Sequence, residues 1–540
     1  MKKTGLYLII ASLAAMSIAV SLGLFSMPPE RPETEDSFSV ERVQKDIKFI
    51  SSDHHSIIHP EQRNEVRDYL ISRLRELGTE PALYSYPDSE GKGYKFDAVN
   101  IVGDWAPADI ANAGNARLLI VAHYDSRYPW APVRDTVCSY GAADDGYGVG
   151  SALETVTILL RNRESWSQGV RLLLTDAEEV GMVGMKKAYE LNPELFEDVG
   201  LVINIEARGT YGPVLLFETS PGNDRIMELY EGFSRYPHTY SLTNVVYRMM
   251  PNFTDFTIVK DELPGVNFST ISDVNHYHTD KDCFANISAS SIRHYGAQIV
   301  PLAEEFVRNP EYADRDSLRG SEDRVFFTVP LLGLFNFSKK GYLVVNIVVL
   351  LLMAGMLLME RKKMLSALSW AGLWLLFAVV ALIVGEVAAW IGCQVSGAKF
   401  ALFGTVSGMQ FDNALMLGLA VVLALVIANM YRRGKVQEKL KGCLILLAVL
   451  DIILLAVLGE NLFVLIPLAV SSLVILLWKI SGWKLFLPVG MALILLHACS
   501  FLYDLSMALT VGAVGAVLLI ATFEFAAAIG LAALFCSEER

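Results

Sequence analysis

The sequence predicts an α/β domain built on a mostly parallel mixed sheet flanked by helices, followed by an all-α multi-span membrane domain. Three observations carry this. Between residues 28 and 338, short apolar runs alternate with segments of helical period, the pattern of strands joined by crossover helices. One run, Leu118–His123 (LLIVAH), is apolar at nearly every position, as a strand covered on both faces must be. After Lys340 the chain becomes a series of long apolar stretches, each of a length suited to a bilayer.

In chain order, Leu6–Phe25 is apolar and preceded by Lys2 and Lys3. It is long for a signal peptide, and Phe25-Ser26-Met27-Pro28 makes a poor small-residue cleavage site. Residues 1–27 are therefore read as a membrane anchor and Pro28–Asp36 as a linker. Val40–Ile50 and Glu61–Leu77 follow as helices, the second stopped by Gly78. Strands are expected near 82–86, 96–102, 118–123, 170–174, 201–205, 214–217 and 266–269. Helices are expected at 146–160, 179–191, 224–233 and 290–307. Ligands of such sheets bind beyond the carboxyl ends of the strands.

The remaining 339–540 hold seven apolar runs, near 342–359, 366–391, 413–430, 443–459, 462–478, 485–503 and 507–535. Arg361, Lys362 and Lys363 follow the first; Arg432, Arg433, Lys435, Lys439 and Lys441 follow the third; Lys479 and Lys484 follow the fifth. The loops between hold only Lys399 as a base. Every second loop is thus cytoplasmic by charge, which places residues 28–338 on the other side, as the extracytoplasmic domain of a multi-pass cell-membrane protein. Glu386, Asp451, His497 and Glu524 interrupt these runs; interhelical hydrogen bonding is the plainer reading of such groups, a transport or proton role the sharper one. The whole chain of 540 residues carries a net charge of −13, which gives no support for nucleic-acid binding.

Chemistry is concentrated at the strand ends. His123 and Asp125 close the LLIVAH run, and residues two apart on an extended segment share a side. Asp144-Asp145 lies in GAADDGYG, Glu178-Glu179 follows Asp176, Glu206 follows LVINI, and His276-Tyr277-His278 with Asp282 follows the last strand. Carboxylates grouped this way repel and resist desolvation unless a cation neutralises them. Two His with three carboxylates suit zinc, and a carboxylate between two metals makes a co-catalytic pair.

At this point the sequence resembles the zinc-dependent metallopeptidases that include bacterial leucyl-type aminopeptidases, glutamate carboxypeptidases and glutaminyl cyclases. The likeness covers roughly residues 40–310 and rests on five motifs in the family's order: His-x-Asp, Gly-Ala-x-Asp-Asp, Glu-Glu, an acidic residue after a strand, and a late Tyr-His-Thr. The resemblance implies a zinc aminopeptidase-like fold and two Zn2+ ions. His123 and Glu206 would hold one, Glu179 and His278 the other, and Asp144 would bridge them. It further implies Glu178 as general base, Asp125 as the group that orients His123, and a cis peptide between Asp144 and Asp145. Many members carry Asp where this chain has Glu206. Water on such a metal pair ionises near neutral pH, Glu178 could pass its proton to the leaving amine, and Tyr277 could steady the oxyanion. Arg208 could pair with a substrate carboxylate or with a nearby acid. Asp282 is expected to hold the His278 loop, and His276 to be an exposed neighbour.

The expected activity is an aminopeptidase acting on peptides at a lipid membrane. A glutaminyl cyclase-like transferase, or a transporter or receptor with a peptidase-like ectodomain, are the alternatives. The anchor, domain order and tail resemble the membrane-bound, endoplasmic reticulum metallopeptidase branch. Cys138 and Cys283, the only cysteines of the soluble domain, flank the Asp144 and His278 motifs, and a disulfide between them is expected in an oxidising compartment.

Overall fold

The structure is a computed structural model describing residues 26–34, 37–109, 113–129, 138–249, 252–359, 363–404 and 411–537, with residues 16, 23, 24, 406 and 409. The expected anchor at Leu6–Phe25, apart from residues 16, 23 and 24, and the bases Arg361 and Lys362 lie outside the described residues. Ser26–Thr328 with Leu332–Ser338 form one unit; the helices from Lys339 onward, with Val329–Leu331, belong to the other.

The first unit opens with α1 (Val40–Ile50), capped by the Ser39 hydroxyl accepting from Arg42 N–H. Its Val40, Val43, Ile47 and Ile50 are buried, one stripe of a helix. α2 (Pro60–Glu76) starts on Pro60, whose missing N–H costs nothing at a helix start. The sheet then assembles from β1 (Ala82–Gly91), β2 (Tyr94–Trp105), β3 (Arg117–His123), β4 (Gly169–Thr175), β5 (Val199–Ala207), β6 (Tyr211–Thr219) and β7 (Gly265–Ser272), in the order β1-β2-β4-β3-β5-β7-β6. The four central strands, β4-β3-β5-β7, are parallel; β2 joins β4 and β6 joins β7 antiparallel. Helices α3 (Gly146–Leu160), α4 (Val183–Leu191), α5 (Asp224–Phe233), α6 (Ser241–Met249), α7 (Phe256–Val259) and α8 (Ala289–Arg308) connect and cover it. A separate hairpin of β8 (Arg324–Val329) and β9 (Gly333–Ser338) ends the unit.

Both faces of the central strands are buried, and period two shows why β3 reads as one apolar run. Leu118, Ile120 and Ala122 enter a core with α1, α2, α3 and α8, while Leu119 and Val121 enter a second core with α4 and α7. The expected helix at 179–191 begins at Val183 instead. Ala177, Gly181 and Met182 have positive φ, so Glu178–Met182 is a turn whose backbone is tied elsewhere, as shown below. α6, α7 and the β8–β9 hairpin were not foreseen; each is short and lacks a long periodic pattern.

His294, in α8, links sheet and helix. Its Nδ1 accepts from Val214 N–H at 2.9 Å, and its Nε2–H donates to the Tyr236 carbonyl at 2.8 Å. Burial pushes its pKa down to about 3, against the pull of the Tyr236 carbonyl. Below pH 6.5 the unfolded chain gains a proton that the folded chain refuses. This stabilisation is whole above pH 6.5 and lost as pH falls towards 3, by up to about 1.4 kcal/mol per pH unit. Denaturant unfolding between pH 7 and 5 should lose stability less steeply in His294→Gln than in the wild type.

The second unit holds α9 (Lys339–Met359), α10 (Met364–Ser396), α11 (Asp412–Arg432), α12 (Val436–Leu458), α13 (Leu462–Ser481), α14 (Phe486–Leu509) and α15 (Val514–Phe535). Among the described residues, seven helical segments are long and apolar enough to cross a membrane. Gly385 lies against Gly515, where a Cβ would meet the Gly515 Cα at 2.8 Å, a small-residue helix crossing. The ionisable groups in the apolar runs have partners on other helices. Glu386 accepts from Gly515 N–H at 3.0 Å, Asp451 accepts from the Asn461 amide at 2.9 Å, and His497 and Glu524 approach to 3.2 Å. Lys439 and Lys441, read as loop bases, instead sit buried in the first turns of α12. The Lys439 ammonium donates to the Met430 carbonyl and lies over the Trp370 ring, 4.9 Å from its centre.

Candidate metal centre

The carboxyl ends of the parallel strands converge on one place. β3 delivers His123 and, just beyond it, Asp125. The turn before α3 delivers Asp144 and Asp145, the turn after β4 delivers Glu178 and Glu179, β5 delivers Glu206, and the loop after β7 delivers Tyr277 and His278.

Two sets of ligand atoms meet there. Asp144, Glu179 and His278 offer one, with His278 Nε2 3.3 Å from Asp144 Oδ2 and 3.3 Å from Glu179 Oε1. These three atoms are buried and have no hydrogen-bond partner. His123 offers the other, its Nε2 3.1 Å from Asp144 Oδ1 and 3.8 Å from Glu206 Oε2. Asp144 thus turns one oxygen to each His. Ligand atoms about 2.0–2.2 Å from a tetrahedral zinc stand roughly 3.3–3.6 Å apart; the 3.3 Å spacings around His278 suit a zinc, while the 3.1 and 3.8 Å spacings around His123 fall on either side of that range.

Asp145 also lies within ligand reach of His123 and Glu206, but both of its oxygens are engaged by backbone. Oδ1 accepts from Gly148 N–H at 3.0 Å and Oδ2 from His123 N–H at 3.2 Å. It caps α3 rather than joining the ligands. Gly148 is obligatory for that cap, since a Cβ would fall 2.1 Å from the Asp145 carboxylate. The Asp144–Asp145 peptide is cis.

Asp125 reaches further than its expected role. His123 Nδ1–H donates to the Asp125 carbonyl at 3.0 Å, with the carboxylate 3.5 Å away, which leaves Nε2 bare for a ligand role. The carboxylate also accepts from Glu178 N–H at 2.9 Å and Glu179 N–H at 3.3 Å. This is the tie that keeps the Glu178–Met182 turn out of α4.

Electrostatics follow from crowding. Burial raises the Glu178 carboxyl well above its ordinary range; His123 opposes this, and Glu206, Asp255 and Glu179 add to it. Burial likewise raises Glu206. Glu179 differs: burial pushes it up, but His278 and Arg127 outweigh that and hold it well below the usual range. Burial raises Tyr277, helped by Asp144 and Glu179, so its hydroxyl stays a donor; the ring stacks on His278 with centroids 3.6 Å apart. The Arg208 guanidinium lies over the Tyr277 ring, 5.8 Å from its centre.

Three features depart from the sequence reading. Cys138 and Cys283 are free thiols. The loops they were expected to join are held by Asp282, which accepts from the Ser139 hydroxyl at 2.9 Å, Ala143 N–H at 2.7 Å and Asp144 N–H at 3.3 Å. Asp282 therefore fastens the bridging-carboxylate turn to the His278 loop, and three donors on one carboxylate make a covalent bridge unnecessary there. His276 is half-buried rather than exposed, because its Nδ1 bonds the Thr210 hydroxyl at 2.7 Å. Arg127 and Asp255 were not singled out. Arg127 Nη1 donates to Glu179 Oε2 at 2.8 Å and to the Glu179 carbonyl at 2.7 Å, and its only sequence signal was a charge two residues past Asp125. Asp255 accepts from the Thr175 hydroxyl and has no motif around it.

Replacing Asp282 with Ala strands two backbone N–H groups and a hydroxyl in a buried turn, at about 1–3 kcal/mol each. Asp282→Ala should lose about 3 kcal/mol or more in denaturant unfolding, with Asp282→Asn less affected.

The chain is similar to known proteins. Mouse endoplasmic reticulum metallopeptidase 1 is 26% identical over 267 residues, 48% of this chain and 28% of its own. A vacuolar membrane protease of Metarhizium robertsii is 27% identical over 216 residues, 38% of this chain and 19% of its own. The chain thus spans less than a third of either relative's length. A solved Zn-dependent exopeptidase from Parabacteroides distasonis is 18% identical, with 51% of this chain and 99% of that one covered and a TM-score of 0.39. Residues 100–303, which hold every side chain of both ligand sets, match Peptidase family M28.

Proposed function

We propose that this chain is a membrane-anchored di-zinc aminopeptidase. The observation that carries the reading is the meeting of three buried ligand atoms with no hydrogen-bond partner, Asp144 Oδ2, Glu179 Oε1 and His278 Nε2, the last 3.3 Å from each of the other two, since one cation between them would satisfy all three at once. In this reading His123 and Glu206 hold one zinc, Glu179 and His278 the other, and Asp144 both. Bound zinc would polarise the scissile carbonyl and lower the pKa of a water. Glu178, fixed through its backbone by Asp125, accepts the proton of the attacking water and returns it to the leaving amine. Tyr277 donates to the oxygen of the tetrahedral intermediate. Arg127 occupies Glu179 Oε2 and leaves Oε1 for metal.

Residues 1–27 serve as an anchor, 28–338 as the extracytoplasmic peptidase domain and 339–540 as a membrane domain, the orientation resting on the basic residues of alternate loops. The test is hydrolysis of a free-N-terminus peptide library by the purified protein, with and without chelator, read by mass spectrometry. Chelator-sensitive loss of N-terminal residues is expected. Conversion of N-terminal glutamine to its cyclic form would assign a cyclase instead, and cleavage unaffected by chelator would end the metal reading.

A further inference from the structure

Glu206 is a longer ligand than aspartate, and a buried chain of side chains ends on it. Asn204, two residues earlier on β5, donates one amide hydrogen to Glu206 Oε1 at 3.4 Å and the other to Asn267 Oδ1 at 2.9 Å. Asn267 donates to Glu218 Oε2 at 3.3 Å and to the Thr254 hydroxyl at 2.9 Å. Glu218 Oε1 accepts from the Lys260 ammonium at 2.5 Å. Asn204 and Asn267 are 1% and 0% exposed and Glu218 3%, in a layer where the neighbouring residues are apolar.

The sheet register builds this row. Asn204 pairs with Asn267 across β5 and β7, and Val266 and Phe268 enter the first core, so Asn267 points to the opposite face. On β6, Leu216 pairs with Phe268 but Glu218 pairs with Asn267. One extra residue lies between, and this bulge turns Glu218 onto the Asn267 face. Without it, Glu218 would point into the apolar core around Leu216.

The row has a direction. A carboxylate facing an ammonium only accepts, so Asn267 must turn its NH2 to Glu218 and its oxygen to Asn204. Asn204 must then turn its NH2 to Asn267, and the second hydrogen of that group falls on Glu206 Oε1. We propose that Lys260, acting through Glu218, Asn267 and Asn204, is a positioning residue that fixes Glu206 with Oε1 held and Oε2 turned to His123. The proposal rests on the metal reading above and adds the source of the Glu206 geometry. Removing the ammonium leaves Glu218 buried without a countercharge, and removing the Asn204 amide leaves Glu206 free to rotate.

The test uses the full-length protein in detergent, loaded with zinc and titrated with chelator, with bound metal counted at each step. Lys260→Met and Asn204→Leu should each lower the affinity of one of the two ions by about ten- to a hundredfold, the scale of outer-shell partners, with the second ion held as in the wild type. Lys260→Arg should retain both. General loosening of the fold would weaken both ions together, so loss confined to one is the diagnostic result. The double variant Glu218→Gln with Lys260→Met buries no unpaired charge, keeps the fold measurable, and should show the same one-ion loss. Wild-type affinities for both ions in Asn204→Leu and in the double variant would overturn the positioning role alone. A wild-type protein that binds no zinc would overturn the metal reading, and this inference with it.

Discussion

Glu178→Gln is expected, on the proposed di-zinc reading, to keep both ions and to cut turnover by at least about a hundredfold, the scale of general-base catalysis. The substitution preserves shape, and the backbone bond from Glu178 N–H to Asp125 is untouched. Glu178 belongs to neither ligand set, so metal content is the wrong place to look for its effect. What the amide cannot do is take a proton. The loss should fall on kcat with KM little changed, because in the proposed mechanism the carboxyl moves protons in the transition state and does not bind the peptide in its ground state. Empty metal sites in this variant would move Glu178 from base to ligand.

Asp144→Ala is expected to do the opposite. Its two oxygens face the two His residues separately, at 3.1 Å and 3.3 Å, so one substitution removes a ligand from each set. Bound zinc should fall from two ions to one or none, with affinity reduced by at least about a hundredfold and activity at baseline, a larger effect than loss of an outer partner. His276→Ala is the matched control: it removes a nearby imidazole that bonds Thr210 and should leave zinc content unchanged. Two retained ions in Asp144→Ala would remove Asp144 from the site.

How much of this was legible in the sequence follows from what each residue does locally. The strands of the sheet centre were readable because both faces are covered, which makes β3 and β5 continuous apolar words. Their polar ends stood out for the same reason. The partners of those ends were not readable. Asp282 bonds Ala143 across 139 residues, Arg127 bonds Glu179 across 52, and no local pattern encodes either contact. Glu218 was not singled out, because its placement depends on a bulge that changes which face a residue takes. The Cys138–Cys283 pairing failed on the same ground: nearness to two motifs does not specify which groups join them.

The strand order has a consequence for how the domain is made. β3 carries the first ligand, yet its neighbours in the sheet are β4 and β5, both later in the chain. A polypeptide emerging at about 5–20 residues per second therefore presents His123 with no partner strand beside it until Thr175 of β4 has followed, and β3 lacks its second neighbour until β5 is complete at Ala207. Asp282, which fixes the turn bearing Asp144, arrives later still. The proposed ligand set is complete only when the loop after β7 has followed, so on the metal reading ion binding is deferred until the sheet has closed. On the proposed extracytoplasmic placement, the ion is then drawn from the compartment in which the domain finishes folding, not from the one in which its synthesis began.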